Sequence, residues 1–187
     1  LKAGANVIIW SRTQASIDDA VDHLNKIAPE SGRLAGIHVD TGIEKEVAGA
    51  LKSSESVFGP PDVLINCVGG NLGKAPFVET DPAQFESVLK LNLIAGLVVP
   101  TKVIAAHWIE KGIKGSIINL TSMTSYQPLS GVWAYNAAKS GVLNLTRGTA
   151  NEFARYGIRV NAIAPGFFLG KQNRALLVDQ ETGEYTD

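Results

Sequence analysis

Cysteine is almost missing. Cys67 stands alone in 187 residues, so neither an intrachain disulfide nor a cysteine metal cluster can form. Histidine is scarce as well: His23, His38 and His107 fall on separate helix and strand patterns with no ligand spacing among them, and no metal site is expected. An excess of charge of either sign is also lacking. Seventeen Lys and Arg against eighteen Asp and Glu leave a net charge of −1, with no basic stripe for nucleic acid and no cationic amphipathic segment for a membrane surface. The most apolar run, Leu91 to Val99, is half the length of a bilayer span and is interrupted by Asn92. With so little thiol chemistry, a reducing cytoplasm is the expected location. Cys67, at the end of a buried strand pattern, reads as a small core residue. Internal repeats, low-complexity tracts and linkers are absent, and residues 1–187 read as one domain.

What the chain does contain is alternation. Short runs rich in Val and Ile, at 6–10, 33–39, 62–66, 115–120 and 158–162, predict five strands separated by stretches of helical period. Ile17, Ala20, Val21, Leu24 and Ile27 mark one helical stripe; Ile43, Val47, Leu51 and Phe58 mark another. Thr41 with Glu44, and Asp81 with Gln84 around Pro82, read as capping boxes. The longest helices are expected at 82–111, bent at Pro100, and at 133–156. This order predicts an α/β doubly wound parallel sheet in three αβα layers. Both ends look truncated. Leu1 to Gly4 read as the last turn of a helix with a glycine stop, where such a sheet would open with a strand and a glycine-rich turn. That first strand belongs in the middle of the sheet, so the first two strands here are expected to lack the partner that would join them to the other three.

The chemistry concentrates late. Tyr135 and Lys139 lie four apart at the start of a long helix, hence on one face. A phenol is a weak acid near pH 10, and a neighbouring ammonium is expected to draw its pKa toward the working range. Ser122 follows the strand that ends at Leu120, at the sheet edge where open α/β folds bind ligands, and can donate to a developing oxyanion. Its plainer reading is a loop serine capping the turn that follows. Asn66 and Gly69 close one strand, Asn92 sits among apolar residues of a long helix, and Pro165-Gly166 end the last strand with a rigid turn.

Asn-x-x-Gly at 66–69, helical Asn92, Ser122, Tyr135-x3-Lys139 and Pro165-Gly166, in this order, resemble the short-chain dehydrogenase/reductase family over essentially the whole chain. The resemblance implies a Rossmann-type fold. It implies that Tyr135 is the general acid/base, Lys139 lowers its pKa and holds the nicotinamide ribose, Ser122 orients the reacting oxygen, and Asn92 organises a proton-relay water. It further implies that Asn66 and Gly69 support the adenosine side, Asp40 and Thr41 meet the adenine, and Pro165 and Gly166 flank the nicotinamide. The family's glycine-rich dinucleotide loop is absent from these residues, and Gly170 stands where a threonine is usual.

Ser11 and Arg12 follow the first strand with no acid to hold a ribose 2′-hydroxyl, while the guanidinium could bind a 2′-phosphate. NADP(H) is therefore favoured, with NAD(H) possible should Arg12 merely stack on adenine. Residues Pro165 to Phe168, Gln172, Asn173, Arg174 and Leu176-Leu177, together with Gly69-Gly70-Asn71, resemble the D-mannonate oxidoreductase (fructuronate reductase) group. Arg174 could clamp a uronate carboxylate while Gln172 and Asn173 donate to hydroxyls, or Arg174 could pair with Asp179 or Glu181 on a solvated helix. The small-molecule substrate is expected to be a sugar acid. A 3-oxoacyl or broad-specificity ketone reductase and a non-catalytic cofactor-binding relative are the alternatives. Val98, Ile104, Trp108, Val142, Leu145 and Phe153 read as a surplus apolar face that suggests a homo-oligomer, and the resemblance implies a tetramer or dimer.

Overall fold

The computed structural model describes residues 1–28, 33–167, 178, 182 and 183. The five strands form where the β-branched runs predicted them: β1 Val7–Ser11, β2 Leu34–His38, β3 Val63–Asn66, β4 Ser116–Leu120 and β5 Arg159–Ile163. Between them run α1 Gln14–Ile27, α2 Glu44–Phe58, α3 Pro82–Leu89, α4 Val99–Lys111 and α5 Trp133–Phe153.

The pairing of β1 to β5 is parallel throughout, and these strands fall into two sheets. One has the order β1-β2, the other β3-β4-β5. Val7 to Ser11 lie beside Leu34 to His38, Asn66 pairs with Asn119, and Leu120 pairs with Ile163. Among the described residues no strand joins β1 to β3. On β2, a β carbon added at Gly36 would meet Ile17 of α1, while its neighbour Ile37 packs on Val47 and Ala50 of α2. Adjacent strand residues face opposite ways, so α1 and α2 cover opposite sides of this sheet, which makes three layers.

Over β3-β4-β5 the covering is one-sided. Leu51, Ile104, Trp108, Ile117, Ile158 and Val160 form a buried cluster that joins α2 and α4 to the strands, with Phe153 of α5 against it. On the opposite face Val63, Ile65 and Ile163 remain about half exposed. The cluster corrects the surplus-face expectation. Ile104, Trp108 and Val142 are all buried, and Phe153 packs on the core, so these side chains are used up inside the fold.

Helix starts depart from the predicted capping boxes in an informative way. Asp81 does cap α3, accepting from the Ala83 amide at 3.0 Å, but Gln84 reaches instead to the Leu72 carbonyl at 2.9 Å. Thr41 caps nothing: α2 begins after Ile43, and the preceding turn is held by Asp40, whose carboxylate accepts from the Gly42 amide at 2.8 Å. The long helix is continuous from 82 to 111, yet its irregularity lies before Pro100. Residues Lys90–Val98 form a π-helical segment in which the Val99 amide reaches the Ile94 carbonyl. Two causes are visible. Pro100 supplies no amide, and Asn92 diverts the Val88 carbonyl to its own side chain at 2.9 Å. At 30 residues this run is, by length and apolar content, long enough to cross a bilayer, which the shorter Leu91–Val99 count did not show. Its buried Ile104 and Trp108 pack in the cluster with Ile117 and Val160 of the strands.

Candidate active site

Three loops meet at the carboxyl ends of β3, β4 and β5. Ser122 begins the β4 loop as the cap of a 3-10 turn over Met123–Ser125, and its hydroxyl accepts from the Thr124 amide at 3.2 Å. The same side chain lies beside the Tyr135 phenol, close enough to lower its pKa. Capping and contact with the phenol are thus one arrangement. The β5 turn is tied to this loop by the Met123 amide on the Pro165 carbonyl at 3.1 Å, next to Gly166.

Lys139 lies on the same face of α5 as Tyr135. Its Nζ sits 5.6 Å from the centre of the phenol ring and donates to the Leu120 carbonyl at 2.8 Å. Burial holds its pKa below the ordinary 10.5, an effect that any thiolate character at Cys67 opposes. For Tyr135 the sequence expectation needs correcting. Burial pushes the phenol above its ordinary 10, and the Ser122 side chain pulls in the other direction. Desolvation of a phenolate outweighs the help available here, and that help comes from Ser122.

Asn92 is fully buried. Its Oδ1 accepts from the Gly70 amide at 3.0 Å, and its Nδ2 donates to the Gly70 carbonyl at 2.7 Å as well as to Val88. Both hydrogens of its Nδ2 are thus spent, on Gly70 and Val88, and the side chain clamps the loop after β3. A β carbon on Gly69 would stand 2.5 Å from Asn92 Oδ1 and 3.2 Å from Lys139 Nζ. Only a bare glycine allows this approach. Cys67 is exposed rather than in the core, because it follows a strand with an open edge, and burial still raises its pKa.

Asn66, expected to support the adenosine side, is buried and bonded within the fold. Its Nδ2 donates to Thr101 of α4 at 3.0 Å and to Asn119 of β4 at 2.8 Å; Asn119 Nδ2 donates in turn to Thr146 of α5 at 2.9 Å. These four side chains are all buried and form a polar ladder beneath the site. Sequence reasoning missed Thr101, Asn119 and Thr146. Asn119 alone left a trace, as an amide inside the apolar run Ile117-Ile118-Asn119-Leu120.

Ser11 and Arg12 lie at the carboxyl end of β1, with Arg12 exposed; Asp40 and buried Thr41 follow β2. The structure thus brings Asn92, Ser122, Tyr135, Lys139 and Gly69 together, and holds Pro165 to the Ser122 loop. Gln172, Asn173 and Arg174 lie outside the described residues.

Residues 1–181 match the family described as short chain dehydrogenase. A 2-dehydro-3-deoxy-D-gluconate 5-dehydrogenase of Formosa agariphila is 34% identical over 178 residues, 95% of this chain and 65% of that protein. An uncharacterised oxidoreductase of Bacillus subtilis, UxuB, is 35% identical, over 98% of this chain and 69% of its own length. The chain spans about two thirds of the length of the curated relatives it matches. Among solved structures, a gluconate 5-dehydrogenase from Burkholderia cenocepacia with NADP and tartrate superposes with a TM-score of 0.82 at 28% identity, covering 99% of this chain and 74% of that one. A candidate D-mannonate oxidoreductase from Haemophilus influenza with bound NAD gives 0.83 at 32%, covering 98% and 69%.

Proposed function

This chain belongs to the short chain dehydrogenase family, and on that footing we propose that it moves a hydride reversibly between a nicotinamide cofactor and a secondary alcohol carbon of a sugar acid. The observation that carries the reading is the Tyr135 phenol, with Ser122 beside it and Lys139 Nζ 5.6 Å from its ring centre, at the carboxyl ends of the strands.

The residues present suit such a cofactor. Lys139 spends one donor on Leu120 and keeps two for ribose hydroxyls. Gly69 leaves the backbone bare beside it. Pro165-Gly166 would flank the ring, and Ser11, Arg12, Asp40 and Thr41 would meet the adenosine end. Arg12, without an acid beside it on the β1 loop, favours a 2′-phosphate, so NADP(H) is preferred and NAD(H) tolerated. When bound, the cofactor supplies or accepts the hydride.

Tyr135 gives its proton to the substrate oxygen during reduction and takes it back during oxidation. Ser122 donates to that same oxygen and positions it. The Lys139 ammonium, when a cofactor and substrate displace water around it, favours the phenolate that oxidation needs. Asn92 acts through the loop it clamps. Gln172, Asn173 and Arg174 are proposed substrate contacts, with Arg174 toward a carboxylate. A keto-uronate such as fructuronate, reduced to mannonate, leads the candidates, supported by the sugar-acid names among the relatives. A homo-oligomer, tetramer or dimer, stays part of the proposal by family likeness.

The test is cofactor oxidation by the protein expressed from its full reading frame, with fructuronate, 5-keto-D-gluconate and uncharged ketones, using NADPH and NADH. Turnover of a keto sugar acid that Tyr135→Phe abolishes supports the proposal. Turnover that survives Tyr135→Phe contradicts it, and a preference for uncharged ketones moves the substrate elsewhere.

A further inference from the structure

Residues 71–80, between β3 and α3, run beside the segment that leads into α5, with one short 3-10 turn, Phe77–Glu79, as their only regular structure. The loop is nevertheless tied down repeatedly. Gln84 Nε2 donates to the Leu72 carbonyl at 2.9 Å, the Ala75 amide to the Gly131 carbonyl at 3.1 Å, and Trp133 Nε1 to the Ala75 carbonyl at 3.0 Å. Phe77 meets the Trp133 ring edge-on at 5.5 Å. Gly131 and Trp133 belong to the segment that runs from Ser122 to Tyr135, so this loop is fastened to the reacting helix two residues before the phenol.

Lys74 stands in the middle of these ties, next to Ala75. Its stem lies along Gly131, where a β carbon would stand 2.5 Å from Lys74 Cγ, 3.3 Å from Cδ and 3.0 Å from Cε. Gly131 has φ +84°, a backbone state that favours glycine, and its missing side chain is the bed in which the lysine rests. The ammonium projects one bond beyond. Among the described residues the ion pairs are Lys102 with Glu44 and His107 with Glu55, so no carboxylate holds Lys74. An exposed lysine usually swings freely and must be immobilised to bind an anion; a stem already laid in place loses less on doing so. Lys139, whose Nζ lies 5.6 Å from the phenol ring centre, is buried and committed to Leu120.

We propose that Lys74, seated by Gly131 four residues before Tyr135, binds the substrate carboxylate and sets the preference for an acid over its uncharged counterpart. This rests on the sugar-acid reading. It adds a second cation, from the β3 loop, to the one proposed at Arg174.

Fructuronate and fructose separate the two ideas, because they differ only in a carboxylate against a hydroxymethyl group. In the cofactor-loaded protein, Lys74→Gln is expected to raise KM for fructuronate about tenfold, the scale of one charge-assisted hydrogen bond. It should leave kcat within about twofold and fructose kinetics unchanged, while Lys74→Arg keeps most of the affinity. Thermal melts of the variants are expected to match the parent. An unchanged KM for fructuronate, or an equal loss with both sugars, overturns the role of Lys74 while the substrate reading stands. A parent protein that prefers fructose overturns both.

Discussion

The β1-β2 half and the β3-β4-β5 half are built from the same strand-helix alternation, yet they are held together differently. At the ends of β1 and β2 the polar contacts are local, save Trp10 Nε1 donating to Ser54 of α2 at 3.2 Å. Thr13 caps α1 through the Ser16 amide at 3.4 Å, and Asp40 closes its own turn on Gly42. At the ends of β3 and β4 they are long-range and buried: the ladder Thr101-Asn66-Asn119-Thr146, the Asn92 clamp on Gly70 and the Lys139 bond to Leu120. The contrast fits the two tasks proposed for these halves. Seating a nucleotide needs turns that present backbone amides. Proton exchange needs side chains from distant parts of the chain fixed against one another.

Breaking the second half should therefore cost chemistry, and breaking the first should cost cofactor choice. The largest expected effect is Tyr135→Phe, which should lower kcat/KM by roughly 10²–10⁴-fold with an unchanged melting temperature, as measured by steady-state kinetics and calorimetry. Lys139→Met should follow, with a loss of about 100-fold and a distinctive pH dependence of stability. The folded pKa of Lys139 lies below 10.5, so between the folded and unfolded values the unfolded chain binds more protons. The parent gains stability with rising pH in that window, and the variant lacks this slope. Denaturant midpoints compared at pH 8 and 10 should thus shift toward the parent.

Asn119→Leu leaves Asn66 and Thr146 without their shared partner in a buried place, at a cost of about 3 kcal/mol by denaturant unfolding. The equivalent insult to the first half, Asp40→Ala, should cost about 1 kcal/mol or less, because that turn is open to water. A comparable loss at both sites would erase the distinction between the halves. The smallest effect is expected at Arg12→Ala, which should weaken NADPH several-fold and spare NADH.

The same contrast explains what could be read in advance. The strands, the two-sheet split and the grouping of Ser122, Tyr135 and Lys139 follow from period, turn residues and helical spacing, which are local signals. The ladder does not, because pairing Asn66 with Asn119 depends on strand register, and reaching Thr101 and Thr146 depends on where two helices pack. The apolar residues of α4 and α5 misled for a related reason. Trp108 and Phe153 read as surplus only while the depth of the sheet core was unknown. Cys67 misled in the opposite sense, since the burial of a strand end depends on the neighbour beside it.

The most direct trial is a crystal structure of the full-length protein with NADPH and a keto sugar acid unable to turn over, for example in Tyr135→Phe and Ser122→Ala backgrounds beside the parent. One substrate oxygen should lie about 2.6–3.2 Å from both the Tyr135 and the Ser122 hydroxyls in the parent. A carbonyl seated away from that pair, with the phenol turned to solvent, would contradict the mechanism outright.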